Sequence, residues 1–180
     1  LEVDLMIKRI KAGSRDSKDT HKSDYYKNIF SIYNKKLNKL PGMIVDPFAR
    51  NCEWADLTND LNPNTKAKYN LDAFEFLKTI PDNSTKLILF DPPFSQRQEI
   101  EKYGSNNLYA SDSNKISLIT KEFQRILLAG GVVIKLGYNS TKIKNLDLID
   151  CLIVNFGGSR NDVIITIHKK MNKSLGDYCE

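Results

Sequence analysis

The chain is poor in the residues that build extracellular or metal-bound folds. Its three cysteines, Cys52, Cys151 and Cys179, are odd in number and far apart. That excludes a disulfide framework and gives no zinc-ligand spacing. The two histidines, His21 and His168, have no ligand-spaced partners either, so no metal site is expected. His168 alternates with Ile165 and Ile167 and is expected on the surface. The single tryptophan, Trp54, is expected in the core rather than as a base platform. No apolar run approaches the roughly 20 residues of a bilayer span, so no membrane partner is expected. The first residues, L-E-V-D-L-M-I-K-R-I, break their short apolar stretch with acids and show no secretory pattern. The expected setting is the cytoplasm. Glycines and prolines are too few for a low-complexity chain and act as punctuation.

What is abundant is positive charge: 27 lysines and arginines against 22 acids, a net charge of +5. A polyanionic partner accounts for this balance, and so does a compositional bias towards lysine. The excess crowds the start of the chain, at Lys8, Arg9, Lys11, Arg15, Lys18, Lys22 and Lys27. A length of 180 residues suits one domain burying about 70% of its unfolded surface. We expect residues 1–180 to form that one domain, with 1–23 as a basic, irregular segment and no separate target-recognition domain.

Apolar periodicity gives the elements in order. Tyr26, Ile29, Phe30, Tyr33 and Leu37 form a helical stripe over Ser23–Leu37, ended by Pro41-Gly42. Short apolar runs predict strands at Met43–Val45, Asp56–Asp60 and Tyr69–Leu71. Asp72 is placed to cap a helix over Ala73–Ile80. A polar stretch, Ser95–Asn114, reads as a long functional loop. A helix over Asn114–Leu128 is expected to end at Gly130-Gly131, followed by a buried strand over Val132–Leu136 and a short helix near Thr141–Asn145. Leu148–Phe156 and Val163–His168 read as an antiparallel hairpin turning through Gly157-Gly158. The alternation predicts an α/β fold: a mostly parallel, seven-stranded sheet with helices on both faces and a C-terminal antiparallel hairpin.

The most informative stretch is Thr85–Phe94, T-K-L-I-L-F-D-P-P-F. Leu87–Phe90 has the composition of a strand buried on both faces. Pro92 and Pro93 cannot donate ladder hydrogen bonds and end it. A carboxylate, two carbonyls and an aromatic face are thereby fixed at the carboxyl end of a strand, where open α/β sheets bind ligands. Asp46-Pro47-Phe48 closes an earlier strand in the same way, and Asp60, ending the second strand, is placed to bond both hydroxyls of a ribose.

Asp91-Pro92-Pro93-Phe94 matches the Asp/Asn/Ser-Pro-Pro-aromatic signature of the amino-group methyltransferases, the adenine-N6 and cytosine-N4 DNA enzymes and their RNA relatives. From about Met43 to His168 the chain resembles the Rossmann-like class I S-adenosylmethionine-dependent methyltransferases. Among them it is most similar to small, phage-type adenine-N6 DNA methyltransferases. The resemblance implies S-adenosylmethionine as cofactor, held by Asp46, Phe48, Ala49, Arg50, Asp60, Leu61, Asp72, Ala73 and Asp91. It implies Asp91, Pro92, Pro93 and Phe94 as the catalytic set, and nucleic acid as partner, DNA preferred and RNA possible. A further subunit for target recognition is compatible with it. Arg97, Tyr103, Tyr109 and Arg160 are candidate nucleic-acid contacts, with loop packing as the other reading of the two tyrosines. The chain departs from the family after Asp46-Pro47-Phe48, where Gly-x-Gly is usual. Arg50 and Cys52 stand there instead. Arg50 either meets the methionine carboxylate or faces solvent, and a decayed cofactor pocket in a silent nucleic-acid-binding subunit is the rival reading.

Overall fold

The computed structural model describes residues 7–11, 20–104, 109–110, 112–156 and 161–171. The elements in order are β1 (Ile7–Lys11), a 3₁₀ turn (Thr20–Lys22), α1 (Asp24–Lys36), β2 (Met43–Asp46), β3 (Leu57–Thr58), α2 (Ala73–Lys78), β4 (Thr85–Phe90), α3 (Gln96–Tyr103), α4 (Ser113–Ile126), β5 (Leu127–Gly137), β6 (Asp147–Asn155) and β7 (Val163–Lys169). One sheet runs β1-β6-β7-β5-β4-β2-β3. β7 is antiparallel to β5 and β6, and the other neighbours are parallel.

The two-residue period of β4 explains the layering. Leu87 and Leu89 enter one core with Ile29 and Tyr33 of α1 and with Leu37 just past its end, while Ile88 and Phe90 enter the other with Phe76 of α2 and Phe123 of α4. Every one of these side chains is buried, so the strand has no polar face to show. Trp54 packs in the first layer, stacked on Phe30 with ring centroids 4.8 Å apart.

The sheet has seven strands, but not the expected seven. Residues 7–11 are not irregular. They form β1, paired in parallel with β6, and its exposed Lys8, Arg9 and Lys11 are the charges that edge strands carry. Tyr69–Leu71 is not a strand beyond one bridge from Tyr69 to Asn59. The buried Asn59 side chain replaces the ladder there: its amide donates to the Leu71 carbonyl and its oxygen accepts from the Leu71 N–H. Gly130-Gly131 does not end a helix. α4 stops at Ile126, and the glycines lie within β5 at a register shift against β4. Gly130 has φ +83°, a backbone state that glycine adopts freely. Residues 141–145 form no helix, and Ser95–Asn114 is not a plain loop, since it contains α3 and the start of α4.

His168 is fully buried in β7, not on the surface, with Nε2 3.0 Å from the Thr166 hydroxyl and Nδ1 without a partner among the described residues. Burial, aided by the charge of Lys135, lowers its pKa to about 4. A histidine held neutral in the fold takes up its proton more readily when unfolded. Its stabilisation is therefore complete above the unfolded pKa near 6.5 and is lost as pH falls towards 4. We expect wild type to lose about 2–3 kcal/mol between pH 7 and 4.5 from this group. Urea melts at both pH values should show a smaller difference in His168→Gln. Equal pH dependence in both proteins would refute the assignment.

Candidate active site

β2 and β4 are parallel neighbours, so their carboxyl ends bring Asp46 and Asp91 to the same edge of the sheet. β3 pairs with the other side of β2 and adds Asp60 two residues past its end. Asp46 is buried, and its Oδ1 accepts the Phe48 N–H at 3.0 Å. Burial raises its pKa well above the ordinary carboxylate range. That hydrogen bond opposes the rise, and the charges of Asp91 and Asp60 add to it. Asp60 is also buried, with its Oδ2 accepting from the Arg50 N–H at 3.0 Å and its Oδ1 from the Asn62 N–H at 2.9 Å. Its pKa is raised by burial, against the pull of those bonds and of Arg50 and Lys102.

Arg50 has φ +49°. The turn after Asp46-Pro47-Phe48 thus takes the left-handed conformation that glycine adopts without strain, although arginine stands there. The bond from its own N–H to Asp60 holds it in place. The Arg50 side chain is half-buried and lines a narrow cleft with Asp46, Phe48, Ala49, Cys52 and Asp91. Cys52 is buried, and burial pushes its thiol up to about 12, so it stays protonated and serves as packing rather than as a nucleophile.

Thr20 and His21 from the 3₁₀ turn, Tyr26 of α1, and Lys102 and Tyr103 of α3 complete the cleft. Tyr103 is therefore placed against the acids rather than on an outer surface. Its hydroxyl is raised by burial and by Asp60. Tyr109 lies in the lining of a second space, beside Phe90 and Phe94. It is buried, its ring meets Phe48 edge-on at 4.9 Å, and its hydroxyl donates to Asp72 Oδ2 at 2.9 Å and accepts the Ala73 N–H at 3.2 Å. Tyr103 thus lines the acidic cleft, and Tyr109 lines the second space while joining Phe48, Asp72 and Ala73. Asp72 caps α2 through Oδ1 to the Phe74 N–H. Asp72 and the buried Ala73 lie outside the cleft lining, and so do the buried Asp60 and the half-buried Leu61 beside it. Arg97 is exposed on α3 and ion-paired with Glu101 at 2.9 Å. Arg160 lies outside the described residues.

Where Asp91 lines the cleft, the next residues line a second space, a groove of about 550 Å³ bounded by Pro92, Pro93, Phe94, Lys135, Tyr138 and Lys142, among others. Phe94 meets Tyr138 edge-on at 4.9 Å, and Tyr138 is 39% exposed. Sequence reasoning missed Tyr138. Its signal was available: an aromatic just past the end of the strand next to β4, level with Phe94. Among the described residues, no group of three or more histidines, cysteines and acids could hold a metal ion, and no helix is long and apolar enough to cross a membrane.

Two solved structures share this fold. One is TrmN from Thermus thermophilus, with TM-score 0.52 and 14% identity over 78% of this chain. The other is a candidate methylase, HI0767, from Haemophilus influenzae, with TM-score 0.50 and 13% identity over 81% of this chain and 98% of its own. The fold is that of the class I methyltransferases. This chain spans about half the length of TrmN, 48%. No protein-family model and no curated protein matches it.

S-adenosylmethionine, the cofactor this fold implies, meets a matching donor set but a closed space. Among the described residues the buried Tyr26 hydroxyl has no hydrogen-bond partner, and the Asp46 carboxyl and the Arg50 guanidinium line the cleft with it. The cleft encloses only about 20 Å³, room for little more than one water.

Proposed function

We propose that the chain transfers a methyl group from S-adenosylmethionine to the N6 amine of adenine in nucleic acid, with DNA as the favoured substrate. The observation that carries this reading is the position of Asp91–Phe94. Asp91 lines the acidic cleft, while Pro92, Pro93 and Phe94 line the aromatic groove. The segment is therefore a shared wall between a donor site and an acceptor site.

The cofactor supplies a sulfonium methyl, activated for transfer. The chain supplies position and charge. The adenine amine is a weak nucleophile because its lone pair is delocalised into the ring. The Asp91 carboxylate and the Pro92 carbonyl accept its N–H bonds and favour a more tetrahedral nitrogen. Those bonds strengthen as positive charge develops on nitrogen, so they act mainly in the transition state. Phe94 and Tyr138 offer ring faces and edges to a base turned out of its stack. Lys142 and Lys144, exposed beside the groove, place positive charge where phosphates approach. Aligning nitrogen, methyl and sulfur in line is the remaining contribution. Arg50, holding the glycine-type turn, supports a competent site over a decayed one. Target choice falls to α3, to the basic start of the chain or to a partner subunit.

The test is nucleoside mass spectrometry after incubation with S-adenosylmethionine and, separately, duplex DNA, single-stranded DNA and RNA. N6-methyladenine in either DNA is the expected product. The same product in RNA alone would move the substrate to RNA, and no methylated nucleoside in any arm would refute the reading.

A further inference from the structure

α1 carries two tyrosines on its buried face, and their hydroxyls have opposite fates. Tyr33 donates to Asp150 Oδ2 at 3.0 Å. Tyr26 is 3% exposed, and among the described residues its hydroxyl has no hydrogen-bond partner. A phenol buried without a partner is costly, and native folds rarely retain one without a use. The Tyr26 ring packs near Trp54, with centroids 5.7 Å apart, so the aromatic body has a core role that phenylalanine would fill. The hydroxyl needs a different explanation.

Tyr26 lines the cleft with Asp46, Arg50, Cys52 and Asp91. Burial together with the charges of Asp46 and Asp91 raises its pKa well above the ordinary phenol value, so the group enters any ligand interaction as a neutral O–H. Asp46 Oδ1 is already engaged by the Phe48 N–H, and the Cys52 thiol stays protonated. A neutral hydroxyl between two acids and an arginine suits a zwitterion: its oxygen accepts an N–H and its proton goes to a carboxylate.

We propose that Tyr26 is a cofactor-binding residue whose hydroxyl bonds the amino-acid end of the methyl donor. The assignment rests on the methyl-transfer reading above. It reaches beyond the strand-end motifs, placing a specific contact on a helix that precedes all of them. It also accounts for the presence of tyrosine, rather than phenylalanine, at a position the hydrophobic stripe alone would fill with either.

Calorimetry with S-adenosylhomocysteine on the wild type, Tyr26→Phe and Tyr33→Phe tests it, with thermal melts of the free proteins alongside. Tyr26→Phe is expected to weaken binding by about 10- to 100-fold, the loss of one hydrogen bond to a charged group. Its melting temperature without ligand should be unchanged or higher, because an unpartnered hydroxyl has been removed. Tyr33→Phe should melt lower and bind as wild type does. Equal affinity in wild type and Tyr26→Phe overturns the assignment. A lower melting temperature for Tyr26→Phe without ligand also overturns it, by showing a structural role, and so does an equal affinity loss in Tyr33→Phe. If wild type itself does not bind S-adenosylhomocysteine, the methyl-transfer reading fails first and this assignment with it.

Discussion

Asp91→Ala should lower the turnover number by about 100-fold or more, the usual cost of removing one group that stabilises developing charge. The melting temperature and the affinity for S-adenosylhomocysteine should change far less. Asp91 follows β4, whose fully buried Leu87, Ile88 and Leu89 hold the strand end in place. Pro92 and Pro93 behind it are buried as well. The backbone at the site is therefore fixed without help from the carboxylate, and alanine there leaves the wall standing. An interaction made mainly in the transition state lowers kcat and kcat/KM together and leaves KM nearly unchanged. Single-turnover methyl transfer to adenine-containing DNA measures this. A variant retaining more than a third of wild-type turnover would sink the proposed role, and a variant that merely unfolds would be recognised by its melting curve.

The largest loss of stability is expected at a residue that touches neither cavity. Glu99 in α3 is fully buried and accepts the backbone N–H groups of both Tyr109 and Ala110. Glu99→Ala would leave those donors without their acceptor, at about 1–3 kcal/mol each, or about 4 kcal/mol in all. The effect should spread, because the segment so anchored carries the Tyr109 hydroxyl that joins Asp72 and the start of α2. Denaturant melts should show the loss. Amide exchange should show Ala73 and Phe74 opening more readily than in wild type. A variant as stable as wild type would mean that the buried carboxylate is dispensable to this joint.

The β/α order and the acidic strand ends were legible in the sequence because both depend on local pattern. Leu87–Phe90 is apolar at every position, and prolines can only follow such a strand, not continue it. What the sequence hid depends on distant partners. Residues 7–11 read as basic coil because their strand partner, β6, lies near the other end of the chain. Tyr69–Leu71 read as a strand because nothing local shows that the Asn59 side chain takes over its pairing. His168, alternating with isoleucines, looked like the polar face of a half-buried strand, but β7 lies inside the sheet between β5 and β6. Tyr109 looked like a loop aromatic until Asp72, Ala73 and Phe48 were found around it. Arg50 was seen as a departure from the family pattern, but its left-handed backbone had no trace in the residue type. It is the bond from its N–H to Asp60 that explains how arginine can occupy that turn.

The pairing of β1 with β6 also bears on how the chain assembles and what it avoids. The remaining six strands form a continuous ladder without β1, and closing the long intervening loop is entropically unfavourable. β1 is therefore expected to dock after the rest of the sheet has formed. Until it does, β6 presents a bare edge with the apolar Leu152 and Val154 along it, a template for pairing with another molecule. Once docked, β1 replaces that edge with Lys8, Arg9 and Lys11, and like charge on every copy then opposes sheet-to-sheet association. The charges of β1 are thus accounted for even where no polyanion is present, as a barrier between the sheet edges of neighbouring copies.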